Sequence, residues 1–280
     1  MNELQASSFP ELAALESSAV RMEFSCGDGT MVWRRWGTGR PLVLLHGGGG
    51  AWNHWVRNIE ALAAVRSVWV PDLPGFGESA REGGDADALP DTVESGMQAA
   101  FGGEACDLAG FSFGGIVAGF LAARLPRRVR RLVLVGTSAL GLSSGPRVEL
   151  RSWRNLIDPA EREAAHRHNL QALMLHDSGS VDGLALALQA QNAARDRMRS
   201  RKIARTDALA RELPTLRCPF FGIWGAEDVL YKSRHDELRA ILKTAPDFRE
   251  LVFIAGAGHW VQYERAAQFN ATLLRMLAAD

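Results

Sequence analysis

The sequence predicts an α/β protein with a mostly parallel sheet, because two patterns alternate along the chain. Continuous apolar runs of strand length recur, and such runs are typical of strands that are buried on both faces of a sheet. Helix-like stretches separate them, for example Gly114–Leu125, which carries apolar residues at a spacing of three to four. Strands that alternate with helices form βαβ units. The predicted buried strands are Pro41–His46, Ser67–Asp72, Cys106–Gly110, Arg131–Gly136, Phe220–Trp224 and Glu250–Ile254.

The N-terminal part of the chain has a different pattern. The first twenty residues predict a short amphipathic or loosely ordered arm. Val20–Ser25 and Met31–Trp36 are strand-like and are joined by Cys-Gly-Asp-Gly-Thr, in which the Asp-Gly pair is a turn signal. We therefore expect a hairpin ahead of the parallel strands.

A helical insertion interrupts the alternation in the second half of the chain. No buried-strand run occurs in residues 138–213, and apolar residues there follow a helical period. We therefore predict a core made of residues 1–137 and 214–280, with residues 138–213 as the insertion. A final helix is predicted over residues 260–277. The helical patterns of the insertion are Glu149–Ile157, Pro159–Leu175 and Ser180–Arg199.

Composition excludes several classes of protein. Of the 280 residues, 47% are hydrophobic and 23% are charged, as in an ordinary globular protein with a core. The 32 basic and 32 acidic residues cancel, so no net charge attracts nucleic acid or an anionic membrane. No apolar run is long enough to span a membrane, and the first residues lack the order of a signal peptide. The cysteines Cys26, Cys106 and Cys218 are widely spaced, which favours free thiols in a reducing compartment and a cytoplasmic location.

Two G-x-S-x-G motifs offer a candidate nucleophilic serine. The first, Gly110–Gly114, follows a predicted strand and opens a predicted helix, which is the context of a nucleophile elbow. The second, Gly141–Gly145, follows Thr-Ser-Ala-Leu and leads into Pro146, so it predicts a loop. We therefore predict that Ser112, and not Ser143, is the nucleophile.

A serine nucleophile needs a base that a third group holds in orientation. His259 follows the last predicted strand in a Gly-x-Gly-His turn, a position that none of the other histidines has. Asp228 follows the preceding strand in Trp-Gly-Ala-Glu-Asp, where Glu227 is the competing acid. The order Ser112, Asp228, His259 suits the ends of successive strands. We therefore predict that His259 is the base and that Asp228 orients it.

A glycine-rich loop, His46–Gly50, directly follows the strand-like Pro-Leu-Val-Leu-Leu. Glycines let backbone N–H groups approach a developing oxyanion, and an elbow supplies a further donor from the residue after the nucleophile, here Phe113. A phosphate-binding loop is the alternative, but the Walker spacing and its Lys-Ser/Thr pair are absent. Gly75–Ala80 fits G-x-G-x-x-A without a following apolar helix, which argues against a dinucleotide site.

Together these motifs resemble the α/β-hydrolase fold superfamily. The resemblance extends over residues 20–137 and 214–280. It implies an eight-stranded, mostly parallel sheet with a helical cap over the serine, and it implies Ser112, Asp228 and His259 as a catalytic triad. By motif position it also implies Gly48 and Gly49 as partners of Phe113 in the oxyanion hole. The segments that carry it are HGGGG (46–50), PDLPGFGES (71–79), GFSFGG (110–115), WGAED (224–228) and GAGHW (256–260).

One subgroup is more similar than the others. HWVQYE (259–264), followed by a Phe-Asn pair, is similar to the meta-cleavage-product hydrolases, which split a C–C bond in vinylogous 1,5-diketone acids from aromatic-ring degradation. That subgroup typically has Asn before the serine, where this chain has Phe111, and a cap Arg for the substrate carboxylate. The basic stretch over 195–205 predicts a solvated helix end and loop, with a carboxylate-binding arginine as the alternative. A carboxylic-ester hydrolase with an apolar pocket fits Phe111 equally well, and a non-catalytic ligand-binding member is a further alternative.

The remaining predictions concern the substrate pocket and other ligands. Trp52, Phe111 and Trp260 lie beside the motifs, and we predict that they line an apolar pocket for a small-molecule substrate. His166 and His168 are two residues apart, so their rings diverge on a helix and indicate no metal site. We expect no cofactor, no nucleic acid and no membrane partner, and the sequence leaves a homo-oligomer open.

Overall fold

The computed structural model describes residues 9–81, 88–142, 148–198 and 200–278. None of the helices in these ranges is both long enough and apolar enough to cross a membrane. The strands are β1 Val20–Cys26, β2 Gly29–Trp36, β3 Pro41–Leu45, β4 Ser67–Pro71, β5 Cys106–Phe111, β6 Val129–Val135, β7 Phe220–Gly225 and β8 Phe248–Ile254. The α-helices are α1 Pro10–Ser17, α2 Ile59–Ala63, α3 Leu89–Phe101, α4 Phe113–Arg124, α5 Pro159–Asn169, α6 Gly183–Ala194, α7 Ala208–Glu212, α8 His235–Leu242, α9 Val261–Glu264 and α10 Ala266–Ala278.

The strands form one eight-stranded sheet in the order β1-β2-β4-β3-β5-β6-β7-β8. β1 pairs antiparallel with β2, with Cys26 opposite Gly29 across the Asp-Gly turn, and β2 pairs antiparallel with β4. The remaining neighbours pair in parallel. The predicted hairpin and the predicted mostly parallel sheet are thus confirmed. Parallel pairing brings the carboxyl ends of β3, β5, β7 and β8 to one edge of the sheet, where open α/β sheets bind ligands.

Burial on both faces of the parallel strands explains their continuous apolar sequences. Along β3, Leu42 and Leu44 pack into one apolar cluster, and Val43 and Leu45 pack into the cluster on the other face. Every residue of β3, β4 and β5 is buried. Each large apolar side chain that is removed from water in this way contributes about 1.5–3 kcal/mol, so the centre of the sheet is a stable support for loops at its edge.

The segment between β6 and β7 contains helices and no strand in its described residues. The division into a core and an insertion at residues 138–213 stays a prediction. The prediction of a helix over Glu149–Ile157 is wrong, because the described residues there are irregular. The side chain of Asn169 accepts the N–H of Arg151 at 2.7 Å and donates to its carbonyl oxygen at 3.0 Å. Leu150 and Ile157 are 54% and 90% exposed. These two apolar side chains therefore cover no surface, and a helix there would gain little from packing them.

The last predicted helix, residues 260–277, consists of two helices. α9 and α10 are separated at Arg265, where the backbone has φ −130° and ψ 52° and leaves the helical region. Just before this break, the side chain of Glu264 turns back to the loop that carries His259 and accepts the N–H of Gly258 at 2.6 Å. Continuous helical periodicity in the sequence could not show this interruption.

Candidate active site

Ser112 lies on a tight turn between β5 and α4, as the first G-x-S-x-G motif predicts. Its backbone has φ 51° and ψ −113°, a strained conformation that costs a non-glycine residue about 1–3 kcal/mol. Two glycines permit the turn, because a Cβ on Gly110 would lie 2.5 Å from the carbonyl oxygen of Gly114, and a Cβ on Gly114 would lie 2.4 Å from that of His46. The N–H of Ser112 donates to Val135 at 2.8 Å. The turn presents the serine hydroxyl at the carboxyl edge of the sheet.

A continuous chain of hydrogen bonds joins Asp228, His259 and Ser112. Nε2 of His259 is 3.0 Å from Oγ of Ser112, and Nδ1 is 2.7 Å from Oδ2 of Asp228. Asp228 is fully buried, and its Oδ1 accepts the N–H of Leu230 at 3.0 Å. A carboxylate on Nδ1 leaves Nε2 able to accept the serine proton. Three side chains that are far apart in the sequence therefore meet in one arrangement.

Glu227 and Ser143 were the alternatives to Asp228 and Ser112. The backbone N–H of Glu227 donates to Ala257 at 2.9 Å, while the carboxylate next to His259 is that of Asp228. A Cβ on Gly225 would lie 2.0 Å from the carbonyl oxygen of Gly258, so the end of β7 and the histidine loop pack backbone against backbone. Ser143, in the second G-x-S-x-G motif, lies outside the described residues.

The glycine loop lies directly beside the serine. A Cβ on Gly47 would be 3.3 Å from Cβ of Ser112. The N–H of Gly47 donates to Nδ1 of His54 at 3.3 Å, and the N–H of Gly50 donates to the carbonyl oxygen of Gly47 at 3.2 Å. Other N–H groups of the loop and the elbow have no hydrogen-bond partner in the described part of the chain, namely those of Gly48, Gly49 and Phe113. Their role as the predicted oxyanion hole stays a prediction.

His54 is a member of the site that the sequence analysis missed. Its buried ring lies 5.5 Å from the ring of Phe111 and 4.9 Å from that of Trp260, measured between centroids. A Cβ on Gly50 would come within 2.0 Å of the imidazole, so the glycine loop wraps around it. Burial lowers the pKa of His54 well below the ordinary value of a histidine, and two neighbouring histidines lower it further. The signal for this residue was a histidine between two tryptophans, four residues after the glycine run.

We expect the free energy of unfolding to depend on pH through the buried histidines. Burial lowers the pKa of His46, His54 and His166 from the ordinary value of 6.5. Below about pH 6.5 the unfolded chain therefore binds protons that the folded chain does not bind, and stability falls by up to about 1.4 kcal/mol per pH unit for each histidine. Lowering the pH thus destabilises the fold, and raising it back through this window restores stability.

The contribution of His54 to this pH dependence can be isolated with a variant. Urea unfolding at about pH 7.5 and at about pH 5.5 measures the loss of stability in the wild type and in His54→Asn. We expect a smaller loss in the variant, by up to about 1.4 kcal/mol. An equal loss in the two proteins would contradict a lowered pKa for His54.

Phe111 and Trp260, which were predicted to line the substrate pocket, are buried and pack against the imidazoles of the site. Phe111 has no exposed surface, and its ring centroid is 5.1 Å from that of His259. Trp260 is 1% exposed, and its Nε1 donates to the carbonyl oxygen of His54 at 2.9 Å. Both rings therefore support the two imidazoles and present almost no surface of their own.

Trp52, the third predicted pocket residue, faces a different cavity. Its ring centroid is 5.5 Å from that of Trp36, and the guanidinium carbon of Arg34 lies 5.0 Å from its ring. Asp72 accounts for this position, because its Oδ1 accepts the N–H of Trp52 at 2.7 Å. Among the described residues, those that line this cavity with Trp52 include Leu12, Glu16, Asp72, Glu78 and Asn192 but no member of the Ser112–His259–Asp228 chain. The structure thus places Phe111 beside His259 and Trp260 beside His54, and it places Trp52 at another cavity.

Two arginines of the basic stretch over 195–205 make close contacts with the core. Arg197 donates to two carbonyl oxygens of the loop over residues 71–79, at 2.6 Å and 3.1 Å. Arg201 lies over the glycine loop, where a Cβ on Gly48 would be 3.3 Å from its Cδ, and its Nη1 pairs with Asp196 at 2.7 Å. The structure therefore places the guanidinium of Arg201 beside Gly48, a position that the sequence did not predict for this arginine.

Comparison with known proteins relates this arrangement to hydrolases. A family model described as the alpha/beta hydrolase fold matches residues 40–266. A 2-hydroxymuconate semialdehyde hydrolase of Pseudomonas sp. strain CF600 is 30% identical over 261 residues, which are 86% of this chain and 88% of that protein. The dihydrolipoyllysine-residue acetyltransferase component of an acetoin cleaving system from Pseudomonas putida is 32% identical over 255 residues, or 85% of this chain. The chain spans only 64% of the length of that second relative.

A solved structure shows the same fold. A meta-cleavage product hydrolase from Pseudomonas fluorescens IP01 superposes with a TM-score of 0.76 at 23% sequence identity. The match covers 91% of this chain and 97% of that protein. At this identity the likeness concerns the fold alone, so the chemistry has to be argued from the side chains.

Proposed function

Because this chain belongs to the α/β-hydrolase fold family and is an enzyme of that family, we propose that it is a serine hydrolase with Ser112 as its nucleophile. The observation that carries the proposal is the unbroken hydrogen-bond chain from Asp228 through His259 to Ser112, at 2.7 Å and 3.0 Å. A strained serine at a strand–helix turn and available N–H groups beside it support the same chemistry.

In this mechanism, His259 acts as a general base and then as a general acid. Nε2 accepts the proton of Ser112 while Oγ attacks the carbonyl carbon of the substrate, and Asp228 stabilises the imidazolium that forms. The N–H groups of Gly48, Gly49 and Phe113 stabilise the negative charge on the carbonyl oxygen. His259 then protonates the leaving group, and a water molecule that it activates releases the acid from Ser112.

A C–C bond in a ring-cleavage product is our first candidate for the bond that is cleaved. Such a substrate must first become a ketone, for which His259 can take the proton of the enol hydroxyl and return it to the dienol carbon. After Ser112 attacks the neighbouring carbonyl, this carbon leaves with the electron pair of the broken C–C bond. The similarity to a 2-hydroxymuconate semialdehyde hydrolase over 88% of its length supports this candidate. Arg201 lies beside Gly48 and is the nearest cation for a substrate carboxylate, which would have to share its guanidinium with Asp196.

A carboxylic ester is the second candidate, and Phe111 favours it. The residue before the serine is fully buried and apolar here, and its ring lies 2.9 Å from the position of a Cβ on Gly47. It therefore supplies no polar group to a charged dienol acid, and the loss of such a partner weakens binding of that class of substrate. An ester carbonyl needs no proton on a carbon atom before it is attacked.

Two assays test the proposal and separate the candidates. A fluorophosphonate probe should label Ser112 in the folded protein, because it reacts with activated serines. Failure to label would contradict a serine hydrolase and would favour a ligand-binding member of the fold. Parallel assays with short p-nitrophenyl esters and with a ring-cleavage dienone show whether the enzyme cleaves an ester bond or a C–C bond. Loss of dienone colour much faster than ester cleavage supports the C–C bond, and the reverse supports the ester.

A further inference from the structure

The segment that carries the proposed catalytic base lies against the helical insertion. We call residues 258–264 the histidine segment and residues 174–177 the insertion segment. The N–H of Trp260 donates to the carbonyl oxygen of Met174 at 2.7 Å. A Cβ on Gly258 would lie 2.8 Å to 3.1 Å from backbone atoms of the insertion segment, so only glycine permits this approach without a shift. The backbone that precedes the base is therefore in direct contact with the insertion.

Glu264 joins the two segments through three hydrogen bonds. Its Oε2 accepts the N–H of Gly258 at 2.6 Å and that of His176 at 3.1 Å, and its Oε1 accepts the N–H of Asp177 at 2.6 Å. The residue is only 6% exposed. Hydrogen bonds to an ionised carboxylate are about twice as strong as neutral ones, and a buried carboxylate needs its donors. One side chain thus holds backbone groups of both segments.

The insertion segment follows an unusual backbone turn. α5 continues as a π-helical turn over Leu170–Met174, in which the N–H of Leu175 donates to Leu170 at 2.8 Å. π-Helical turns are rare in proteins, and those that occur often lie at functional sites. The last residue of the turn, Met174, is the acceptor for Trp260, so a displacement of α5 would move the groups that Glu264 holds.

We propose that Glu264 is a positioning residue that couples the orientation of His259 to the position of the insertion. Gly258, the residue before His259, has no side chain of its own to hold it, and Glu264 anchors its N–H. With the insertion in place, all three donors satisfy the carboxylate. With the insertion displaced, the carboxylate loses two of them and no longer holds Gly258 in one position. The inference rests on the proposed function, because it acts through His259 as the base.

The test compares Glu264→Gln with Tyr263→Phe as a matched control. Gln is nearly isosteric, but an NH₂ group replaces one acceptor oxygen, so either the N–H of Asp177 or those of Gly258 and His176 lose their acceptor. The hydrogen bonds that remain are also weaker, because the carboxylate charge is lost. Tyr263→Phe removes a different bond between α9 and the insertion, from its hydroxyl to Asp182 at 2.6 Å, and leaves Gly258 anchored. The measurements are the rate of fluorophosphonate labelling, kcat and KM for a short p-nitrophenyl ester, and the midpoint of thermal unfolding.

We expect Glu264→Gln to lower both the labelling rate and kcat by between about tenfold and about a hundredfold, with KM nearly unchanged, because a small displacement of a catalytic group costs that much. Tyr263→Phe should change kcat less than about twofold. Should Glu264→Gln fail to fold, Glu264→Asp, whose carboxylate is one methylene too short to hold both segments, carries the same expectation.

Three results would count against the inference, and they are distinguishable. A lower unfolding midpoint with an unchanged labelling rate and kcat would make Glu264 a structural brace only. An equal decrease in Tyr263→Phe would mean that any loosening of α9 has the same effect. A wild-type protein that the probe does not label would remove the proposed function, and this inference with it.

Discussion

Replacing Ser112 with alanine is expected to lower kcat by about 10⁶-fold and to abolish labelling by a fluorophosphonate, because it removes the nucleophilic oxygen. The fold should be retained, since the strained turn depends on Gly110 and Gly114 and on the bond from the serine N–H to Val135, none of which the change removes. Stopped assays with the preferred ester or dienone, together with mass spectrometry of the labelled protein, measure both effects.

The second G-x-S-x-G motif supplies a matched control for this experiment. Ser143→Ala changes the same residue type in the same short pattern, and we expect its kcat to stay within about twofold of the wild type. Substantial activity in Ser112→Ala, or loss of labelling in Ser143→Ala, would contradict the assignment of the nucleophile. Both serines lie in a G-x-S-x-G motif, but only Ser112 is shown on a strand–helix turn. A difference between the two variants therefore depends on the position of the serine in the fold and not on the motif alone.

Replacing Asp228 with asparagine is expected to lower kcat by about 10⁴-fold while the protein stays folded. Asparagine can keep a hydrogen bond to Nδ1 of His259 through its NH₂ group, but Nδ1 is then the acceptor. The proton of the neutral imidazole consequently lies on Nε2, which faces Oγ of Ser112 at 3.0 Å and can no longer accept its proton. Initial rates with the same substrate and a circular dichroism spectrum of the variant measure the effect.

Glu227 provides the control for Asp228, because it is the adjacent carboxylate and the alternative acid from the sequence. Its backbone N–H donates to Ala257, whereas the carboxylate hydrogen-bonded to His259 belongs to Asp228. We therefore expect Glu227→Gln to keep kcat within about threefold of the wild type. Equal losses in the two variants, or a larger loss in Glu227→Gln, would overturn the assignment of the acid.

Most of the sheet and the positions of the three proposed catalytic residues could be predicted from local patterns. The parallel strands are continuous apolar runs because helices cover both of their faces, and Ser112, Asp228 and His259 each follow such a run within a few residues. Parallel strands bring their carboxyl ends to one edge, so residues at those ends could be expected to meet. The fold prediction succeeded because neighbouring residues dictate strand, turn and elbow.

Predictions in the insertion were less accurate, because a helical period of apolar residues produces a helix only where the apolar face can pack against another surface. Glu149–Ile157 has the pattern, yet Leu150 and Ile157 are 54% and 90% exposed and pack against nothing among the described residues that would favour a helix. The aromatic residues illustrate the same limit. Trp52 lies two residues after the glycine run, yet a hydrogen bond to Asp72 turns it toward another cavity. Proximity in the sequence to a motif did not determine which aromatic rings pack against the imidazoles of the site.

The sequence by itself determined the order of the strands along the chain, the elbow at Ser112 and the candidate acid and base, because these depend on turn chemistry and on burial of nearby residues. Only the tertiary structure decided which side chains complete the site. His54 becomes a buried neutral imidazole because the glycine loop closes around it, and Glu264 accepts N–H groups 87 and 88 positions away. Contacts over such distances arise when the insertion packs on the core, and no local pattern contains them.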